Sequence, residues 1–561
     1  MARRATNRPR DRVVVASILV LIVAVGLALR LRHNDYGLPY SYVADENTHF
    51  TVHAAEMFRD DANPEYFRNP SAFTYLLHGL LRLPLGGLGP LPDLGGADPF
   101  LEFLLDPSPF FETGRFLAAL LCMTGVVAVF FVGRRMWGER EGIVAAAALS
   151  VAFLPVAYSR LALTDVGTFL PIALAIFGAV RAHEIGKRRH YALAGAATGL
   201  AVGFKYTSGL VVLAVLAAAA LSLRRRPGEW RATLAGLTLA VVAAGAAFFV
   251  TTPYFFADLD FSITQLRDQA RVIGGAEKFG QSQSSGFLYY LDSFGWGFGV
   301  TAMVAALGGA IAVVRRDRDR GLVLLIFPIV FFLYLGTQSR YFARYLLAVY
   351  PILALLCGVG LARGVDLVRA GPVWRSGILV GATLAVLAQP LTADIRTMEL
   401  LGREHTLQSA RDFLVETYPP GTRVDFPQGA TPTDRIVPTA YHLENGPWRR
   451  TRQFPEDLGK TVRGLDPGVI DSLRRSRFCL VMTTSLDRGR ALIAGRREAL
   501  DYYRWLGRES ELVFAIDPFE PGAEPVPFHY DLSYNYYPAA YERPGPSVWI
   551  HRLRGCRAGP T

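Results

Sequence analysis

The chain carries an acidic pair, Asp45 and Glu46, in the segment SYVADENTHF, shortly after its first long apolar run. A carboxylate close to a membrane surface can accept the proton of an incoming hydroxyl group. The same pair is also typical of a helix N-terminus, where the helix dipole favours acidic side chains. The dipeptide alone therefore leaves both interpretations open.

Basic residues lie near the ends of later apolar runs: Lys205 in GFKYTSG, and Arg340 and Arg344 in SRYFARYLL. Such side chains could bind an anionic group at the membrane surface. Alternatively, these side chains only extend to the membrane interface, as any Lys or Arg near a helix end can do. Because an ionisable residue at membrane depth is a functional candidate, we favour anion binding, above all for Lys205 and Arg340, and rank Arg160 lower.

A metal site has less support from the sequence. His49, His53 and Glu56 are spaced so that one helix face would present all three, and such a face could bind a metal. The polar side of an amphipathic interfacial helix explains the same spacing better. Asp165, in SRLALTDVGTF, is explained as well by capping a helix as by a site. The sequence therefore establishes no cofactor, and a divalent metal stays an open alternative that it does not support.

These residues are set among apolar runs that predict a membrane protein. Of the 561 residues, 51% are hydrophobic and 19% are charged, below the roughly one quarter charged that is typical of soluble chains. Runs of about the length needed to cross a membrane recur at 13–32, 114–133, 142–159, 163–180, 191–204, 206–223, 232–251, 288–314, 321–336, 343–362 and 375–391. The pattern predicts a polytopic α-helical membrane protein with about eleven transmembrane helices.

The distribution of basic residues predicts the orientation. If the N-terminus is cytoplasmic, the inner loops 1–12, 134–140, 181–190, 224–231, 315–320 and 363–375 hold 23 Lys and Arg residues, against four in the short outer turns. Basic residues accumulate on the cytoplasmic side of membrane proteins. Although the net charge is +11, no basic stripe interleaved with aromatic residues indicates nucleic-acid binding.

The predicted topology divides the chain into two domains. Residues 1–391 form a transmembrane domain whose long outer segments are 33–113 and 252–287, and residues 392–561 form a small extracytoplasmic domain. In the latter, the helical pattern HTLQSARDFLVETY and the β-like runs FCLVMTT, ELVFAID and VWIHRL predict an α/β fold. Cys479 and Cys556 could form a disulfide there, although their spacing alone does not show it.

The order of these motifs resembles the GT-C glycosyltransferases. The acidic pair and the following RNPSAFTYLLHGLL are similar to the first outer loop of the protein O-mannosyltransferase and aminoarabinose-transferase branch, a family of bacterial dolichyl-phosphate-mannose-type mannosyltransferases. The resemblance implies that Asp45 is a general base with Glu46 as its neighbour, and that Lys205, Arg340 and Arg344 contact the donor phosphate. It further implies that Asp165 is an accessory acidic residue. Some relatives hold a metal there with two acidic residues, whereas here Val-Gly-Thr follows the Asp.

The resemblance implies an inverting glycosyltransferase of the multi-pass plasma membrane. It would transfer a hexosyl or pentosyl group from a polyprenyl-phosphate donor to a hydroxyl of an envelope protein, glycan or lipid at the outer face. The alternative is a transporter or flippase of lipid-linked sugars. Transporters typically show internal repeats and functional charges near the membrane midplane. Here the polar residues gather at one face, which favours chemistry at that face.

Overall fold

The computed structural model confirms a polytopic helical membrane protein. It describes residues 9–39, 43, 45–46, 49–59, 62–83, 99–275, 285–419, 422, 424–425, 470, 473, 478–495, 497–526 and 538–556. Within this part of the chain, nine helices are long and apolar enough to cross a membrane, and ten are if the bent pair Glu139–Val151 and Phe153–Ser159 counts as one span. The remaining run predicted from the sequence is the 17-residue helix Arg188–Phe204, which is about 26 Å long.

Several spans begin with a short irregular turn at the end that the sequence places outside. The 3-10 turn Asp165–Thr168 precedes helix Phe169–Ile185, Tyr206–Val211 precedes Val212–Arg225, and Ala343–Val349 precedes Tyr350–Asp366. The π-helical turn Gly295–Gly299 joins Gly286–Phe294 to Val300–Arg316. The other spanning helices are Pro9–Leu31, Ser108–Met136, Trp230–Thr251, Arg318–Gly336 and Pro372–Leu401. Turns of this kind frequently occur at functional positions.

The predicted outer segments contain shorter helices. Phe50–Glu56, Ala72–Leu81 and Pro99–Leu105 lie in the first, and Tyr254–Ala257 and Leu259–Gly275 lie in the second. Residues 84–98 and 276–284 of these segments are outside the described part of the chain. Six of the seven residues of Phe50–Glu56 are buried, so this helix packs into the domain instead of lying on its surface.

The bundle has buried and peripheral helices. The apolar stretches of spans Asp165–Ile185 and Ala343–Asp366 are 78% buried, and that of Ser108–Met136 is 67% buried. Arg12–Leu31 and Pro227–Thr251 are only 11% and 17% buried, so their apolar side chains face the lipid. The buried helices therefore form the centre of the transmembrane domain.

Small residues bring two helices of the bundle into close contact. Helix Arg188–Phe204 packs on helix Trp230–Thr251, and a Cβ atom added at Gly199 would lie 2.1 Å from the backbone oxygen of Ala244. Helices in membranes associate closely where glycine or alanine lines the contact. This contact fixes the helix whose C-terminal end is followed directly by Lys205.

The C-terminal part forms the predicted small α/β domain. Its sheet consists of β1 (Val424–Asp425), β2 (Leu480–Thr484), β3 (Ser510–Ile516) and β4 (Val548–Leu553). The strands lie in the order β1-β2-β4-β3, and β1 pairs parallel to β2. Strand β4 pairs antiparallel with both β2 and β3. The same part of the chain contains the helices Thr406–Thr417, Ser485–Ala494 and Arg497–Glu509. A disulfide joins Cys479 to Cys556.

The last spanning helix continues past the predicted domain boundary at 391/392. Helix Pro372–Leu401 carries Arg396, whose guanidinium donates a hydrogen bond to the backbone oxygen of Tyr541 at 2.8 Å. Arg403, just beyond the helix, donates to the backbone oxygen of Glu542 at 2.6 Å. The helix end is therefore attached directly to the C-terminal domain.

Candidate active site

The acidic pair after the first span is split between two environments. Asp45 and Glu46 are adjacent, and neighbouring side chains of a helical turn point about 100° apart. The Asp45 side chain is 41% exposed and borders a cavity. Glu46 is fully buried and does not line that cavity.

Glu46 forms an ion pair inside the domain. Arg115 Nε and Nη2 donate to its two carboxylate oxygens at 2.8 and 2.7 Å, and the backbone N–H of Ala162 donates to Oε1 at 2.8 Å. Arg115 also donates to the backbone oxygens of Asn34 and Tyr36, at 2.6 and 3.0 Å. A bidentate pair of this kind is strong and geometrically specific. Glu46 therefore attaches the acidic pair to helix Ser108–Met136, which carries Arg115, and to the turn at Ala162.

Asp45 contacts one of the predicted phosphate-binding residues. Arg344 Nη1 lies 2.7 Å from Asp45 Oδ2, and His49 Nε2 lies 3.7 Å from Asp45 Oδ1. Arg344 belongs to the 3-10 turn Ala343–Val349, so this turn brings its guanidinium next to the carboxylate. The two residues are far apart in the sequence and meet only in the folded protein.

A second ion pair joins Lys205 to Asp165. The Lys205 ammonium contacts Asp165 Oδ1 and lies 4.9 Å from the centre of the Tyr345 ring. Both side chains are largely buried, with 16% and 7% of their surfaces exposed. Asp165 is the first residue of a 3-10 turn whose N-cap position is Thr164, so Asp165 is not the capping residue. The contact with Lys205 therefore explains Asp165 better than helix capping does.

Arg340 differs from the other two cations. It borders the cavity, and in the described part of the chain its Nε atom is buried without a hydrogen-bond partner. No carboxylate of the described residues pairs with it. Of the three cations predicted to bind phosphate, Arg340 is thus the one whose charge is not already matched by a described acidic residue.

One cavity of about 570 Å³ collects the predicted residues. Asp45, Asp165, Lys205, Arg340 and Arg344 come from four separate turns on the same side of the bundle, and all five border it. Its other lining residues are His49, Phe50, Arg68, Asn69, Leu163, Thr164, Tyr206, Thr207, Leu266, Asp268, Gln269, Ala270, Tyr334, Leu335, Phe342 and Tyr345. The cavity is thus lined by three carboxylates, several cations and aromatic rings.

His49, which lines the cavity, stacks together with His53 on Tyr66. The His49 and His53 rings stack on the Tyr66 ring at centroid distances of 5.4 and 4.6 Å, and His53 Nδ1 lies 3.0 Å from Glu56 Oε2. Burial raises the pKa of the Tyr66 phenol well above its usual range, which keeps it protonated. Among the described residues no group of three or more His, Cys, Asp or Glu side chains could hold a metal. The metal alternative at His49, His53 and Glu56 thus gains no support.

A helix of the second outer segment covers one side of the cavity. Leu266, Asp268, Gln269 and Ala270 of helix Leu259–Gly275 line it. The Gln265 side chain accepts a hydrogen bond from the backbone N–H of Phe67 at 2.7 Å. The two outer segments therefore meet over the cavity.

Sequence reasoning missed Arg115 and ranked Arg160 low. Arg160 donates from Nη1 to the backbone oxygen of Leu29 at 2.9 Å and from Nη2 to that of Arg32 at 2.7 Å, so it holds the end of the first span. Arg115 gave a signal, because it lies at the start of an apolar run where a charge normally needs a partner. Its partner, Glu46, could not be named without the fold.

Comparisons with known proteins agree with this architecture. Residues 111–251, a quarter of the chain, match the family described as dolichyl-phosphate-mannose-protein mannosyltransferase. The apo oligosaccharyltransferase of Archaeoglobus fulgidus superposes with a TM-score of 0.55 at 13% identity, covering 95% of this chain and 75% of that one. The chain has the GT-C fold. The resemblance predicted from the sequence is thereby confirmed.

Two similar structures contain a lipid phosphate. The archaeal oligosaccharyltransferase AglB from Archaeoglobus fulgidus, in complex with an inhibitory peptide and a dolichol-phosphate, has a TM-score of 0.55 at 13% identity and covers 93% of this chain and 75% of that one. ArnT from Cupriavidus metallidurans bound to undecaprenyl phosphate has a TM-score of 0.49 at 15% identity, covering 98% and 99%. No curated protein sequence matches the chain. The family match and the fold together indicate a membrane glycosyltransferase.

Proposed function

We propose that this protein transfers a sugar from a polyprenyl-phosphate donor to a hydroxyl acceptor at the outer face of the plasma membrane, with inversion at the anomeric carbon. The observation that carries the proposal is the cavity in which Asp45, Lys205, Arg340 and Arg344 meet. A carboxylate and several cations in one cavity are the groups needed to deprotonate an acceptor and stabilise a leaving phosphate.

Asp45 is the general base in this proposal. It is the more exposed member of the acidic pair and borders the cavity, so an acceptor hydroxyl could reach it. The deprotonated hydroxyl attacks the anomeric carbon from the side opposite the phosphate, which inverts the configuration. Glu46 acts indirectly, because its ion pair with Arg115 holds the segment that carries Asp45.

Arg340 is the first contact of the donor phosphate. Its charge has no described carboxylate partner, and it borders the same cavity as Asp45. Lys205 and Arg344 also border the cavity and complete the phosphate site. Positive groups held in place before the reaction stabilise the charge that develops on a leaving group, since they need no rearrangement at that moment.

The outer-face location rests on two features. The predicted inner loops hold most of the loop Lys and Arg residues, as expected for cytoplasmic loops. The C-terminal domain contains the disulfide Cys479–Cys556, and disulfides persist mainly in oxidising compartments outside the cytosol. Both features favour a cytoplasmic N-terminus and an extracytoplasmic C-terminal domain.

A reconstituted assay tests the proposal. The purified protein in lipid nanodiscs would receive a synthetic polyprenyl-phosphate sugar together with candidate protein, glycan and lipid acceptors. We expect release of polyprenyl phosphate that depends on an acceptor, with the opposite anomeric configuration in the product. A flippase would move the intact donor across a bilayer without cleaving it, so transport without cleavage would refute the proposal. Mass spectrometry of envelope glycans from cells with and without the protein identifies the natural acceptor.

A further inference from the structure

We propose that Asp45 and Asp165 occupy the phosphate site of the donor-free protein, each holding one cation, and that the donor phosphate displaces both carboxylates. The inference rests on the proposed function and adds an order of events to it. Asp45 would become available as the base only after the donor has bound. The two carboxylates are therefore exchangeable counterions of the phosphate site.

The geometry shows two cations already paired with carboxylates at the same cavity. Arg344 contacts Asp45 at 2.7 Å, and Lys205 contacts Asp165. Both cations lie close to the Tyr345 ring, whose centre is 4.9 Å from the Lys205 ammonium and 5.8 Å from the Arg344 guanidinium carbon. The two ion pairs are thus neighbours around one aromatic ring.

A phosphate group is better suited to these cations than either carboxylate. It has several acceptor oxygens and could contact both cations, whereas each carboxylate is paired with one of them. The guanidinium of Arg344 can also bind a phosphate through two parallel hydrogen bonds. Since both cations are only 16% exposed, competition from water is weak, and exchange of partners within the cavity is the natural route.

The exchange has a consequence for the base. A carboxylate held by a guanidinium is a poor proton acceptor, because the positive charge stabilises its ionised form. When Arg344 turns to the phosphate, the Asp45 carboxylate is no longer held by that guanidinium and is available to the acceptor hydroxyl. Base and leaving-group site are therefore activated by one event.

The chemical step then balances. The acceptor hydroxyl gives its proton to Asp45, and its oxygen forms a bond to the anomeric carbon. The bond between that carbon and the phosphate oxygen breaks, and its electron pair stays on the phosphate, which Lys205, Arg340 and Arg344 hold. After the product leaves, the proton passes to solvent and the two carboxylates return to their cations. An acceptor that arrives first meets a base still paired with Arg344, so its hydroxyl is deprotonated only after the donor has bound.

Binding of polyprenyl monophosphate, without any turnover, tests the exchange. The purified protein in nanodiscs would be titrated with this lipid as wild type, Asp45→Asn and Asp165→Asn. We expect about fivefold tighter binding to Asp45→Asn, because the phosphate no longer competes with a carboxylate, and a partly exposed ion pair is worth on the order of this factor. For Asp165→Asn we expect a gain at least as large, because that pair is more buried. Asp268→Asn is the matched control, since Asp268 borders the same cavity but pairs with Arg271. We expect a change of less than about twofold there, because the charge of an exposed side chain is screened.

A double variant assigns the effect to the ion pair. In an Arg344→Gln background, Asp45→Asn should no longer strengthen binding, because the cation that it releases is gone. The exchange is wrong if Asp45→Asn binds the lipid no more tightly than Asp268→Asn does, or if its gain persists without Arg344. Asp45 is partly exposed and Asn has its shape, so this variant is expected to fold. If wild type itself fails to bind polyprenyl monophosphate, both the exchange and the proposed function are refuted. Wild-type binding without the gain refutes the exchange alone.

Discussion

Replacing Arg340 by Gln should impair donor use without impairing stability. Arg340 borders the cavity and its Nε has no described hydrogen-bond partner, so its removal leaves no buried carboxylate unpaired. Its contribution should therefore appear mainly when the phosphate is bound. A hydrogen bond to a charged group contributes roughly 1.5–3 kcal/mol, which corresponds to about a 10- to 150-fold weaker interaction with the donor.

Lys205→Gln should behave differently, although Lys205 contacts the same cavity. The change leaves Asp165, which is 6% exposed, without its cation. Breaking a buried ion pair by removing one partner costs about 3–5 kcal/mol of stability. We therefore expect Lys205→Gln to lower both the thermal unfolding temperature and donor use. Lys205→Arg should recover part of both, since it retains the cation with altered geometry.

The assay combines donor titrations of the reconstituted enzyme with thermal unfolding of each variant. The double variant Lys205→Gln with Asp165→Asn is the control, because it removes the unpaired carboxylate. It should regain stability while its donor use stays low. The reasoning is refuted if Arg340→Gln uses the donor as wild type does. It is equally refuted if Arg340→Gln is as unstable as Lys205→Gln, because Arg340 would then have a structural role.

Further predictions concern the base, its support, the bundle and the topology. Asp45→Asn should lower the transfer rate by about 10²–10⁴-fold with normal expression, and substantial activity of the purified variant would exclude Asp45 as the base. Glu46→Gln should lower the thermal unfolding temperature, because it breaks the buried pair with Arg115, whereas an unchanged temperature would contradict the anchoring role. Gly199→Ala should destabilise the protein while Gly245→Ala should not, because only the first Cβ would meet backbone atoms, 2.1 Å from Ala244 O. An impermeant thiol reagent should label Glu524→Cys in intact cells and Arg316→Cys only after permeabilisation. The reverse labelling pattern would show that the predicted orientation in the membrane is wrong.

The elements of the fold were largely predictable because membrane helices have a strong sequence signal. A span needs about 20 apolar residues, and each predicted run corresponds to a helix. The strands of the C-terminal domain were also predictable from short β-branched and aromatic runs such as VWIHRL. The end of the last spanning helix was not predictable, because the segment TADIRTMELL is polar enough to resemble the beginning of the C-terminal domain. The structure instead continues the helix to Leu401, where its end attaches to the C-terminal domain.

The convergence of the site residues was predictable in outline. Asp45, Asp165, Lys205 and Arg340 were each placed at an outer turn, and alternating spans bring such turns to one face of a bundle. It was not predictable that Glu46 is buried while its neighbour Asp45 borders the cavity. The side chains of adjacent residues point in different directions. The direction of the Glu46 side chain is fixed by its ion pair with Arg115, which lies 69 positions away in the sequence.

The two ion pairs of the cavity follow from a requirement that applies to any empty anion site. A cation that is mostly shielded from water is unfavourable unless an opposite charge or hydrogen bonds compensate for it. Lys205 and Arg344 are each 16% exposed, and the donor is their partner for only part of the catalytic cycle. Acidic residues at the same membrane face can compensate for them during the rest of the cycle. Its ion pair with Lys205 therefore explains Asp165 without a metal, and Asp45, the carboxylate paired with Arg344, is the residue that we propose as the base.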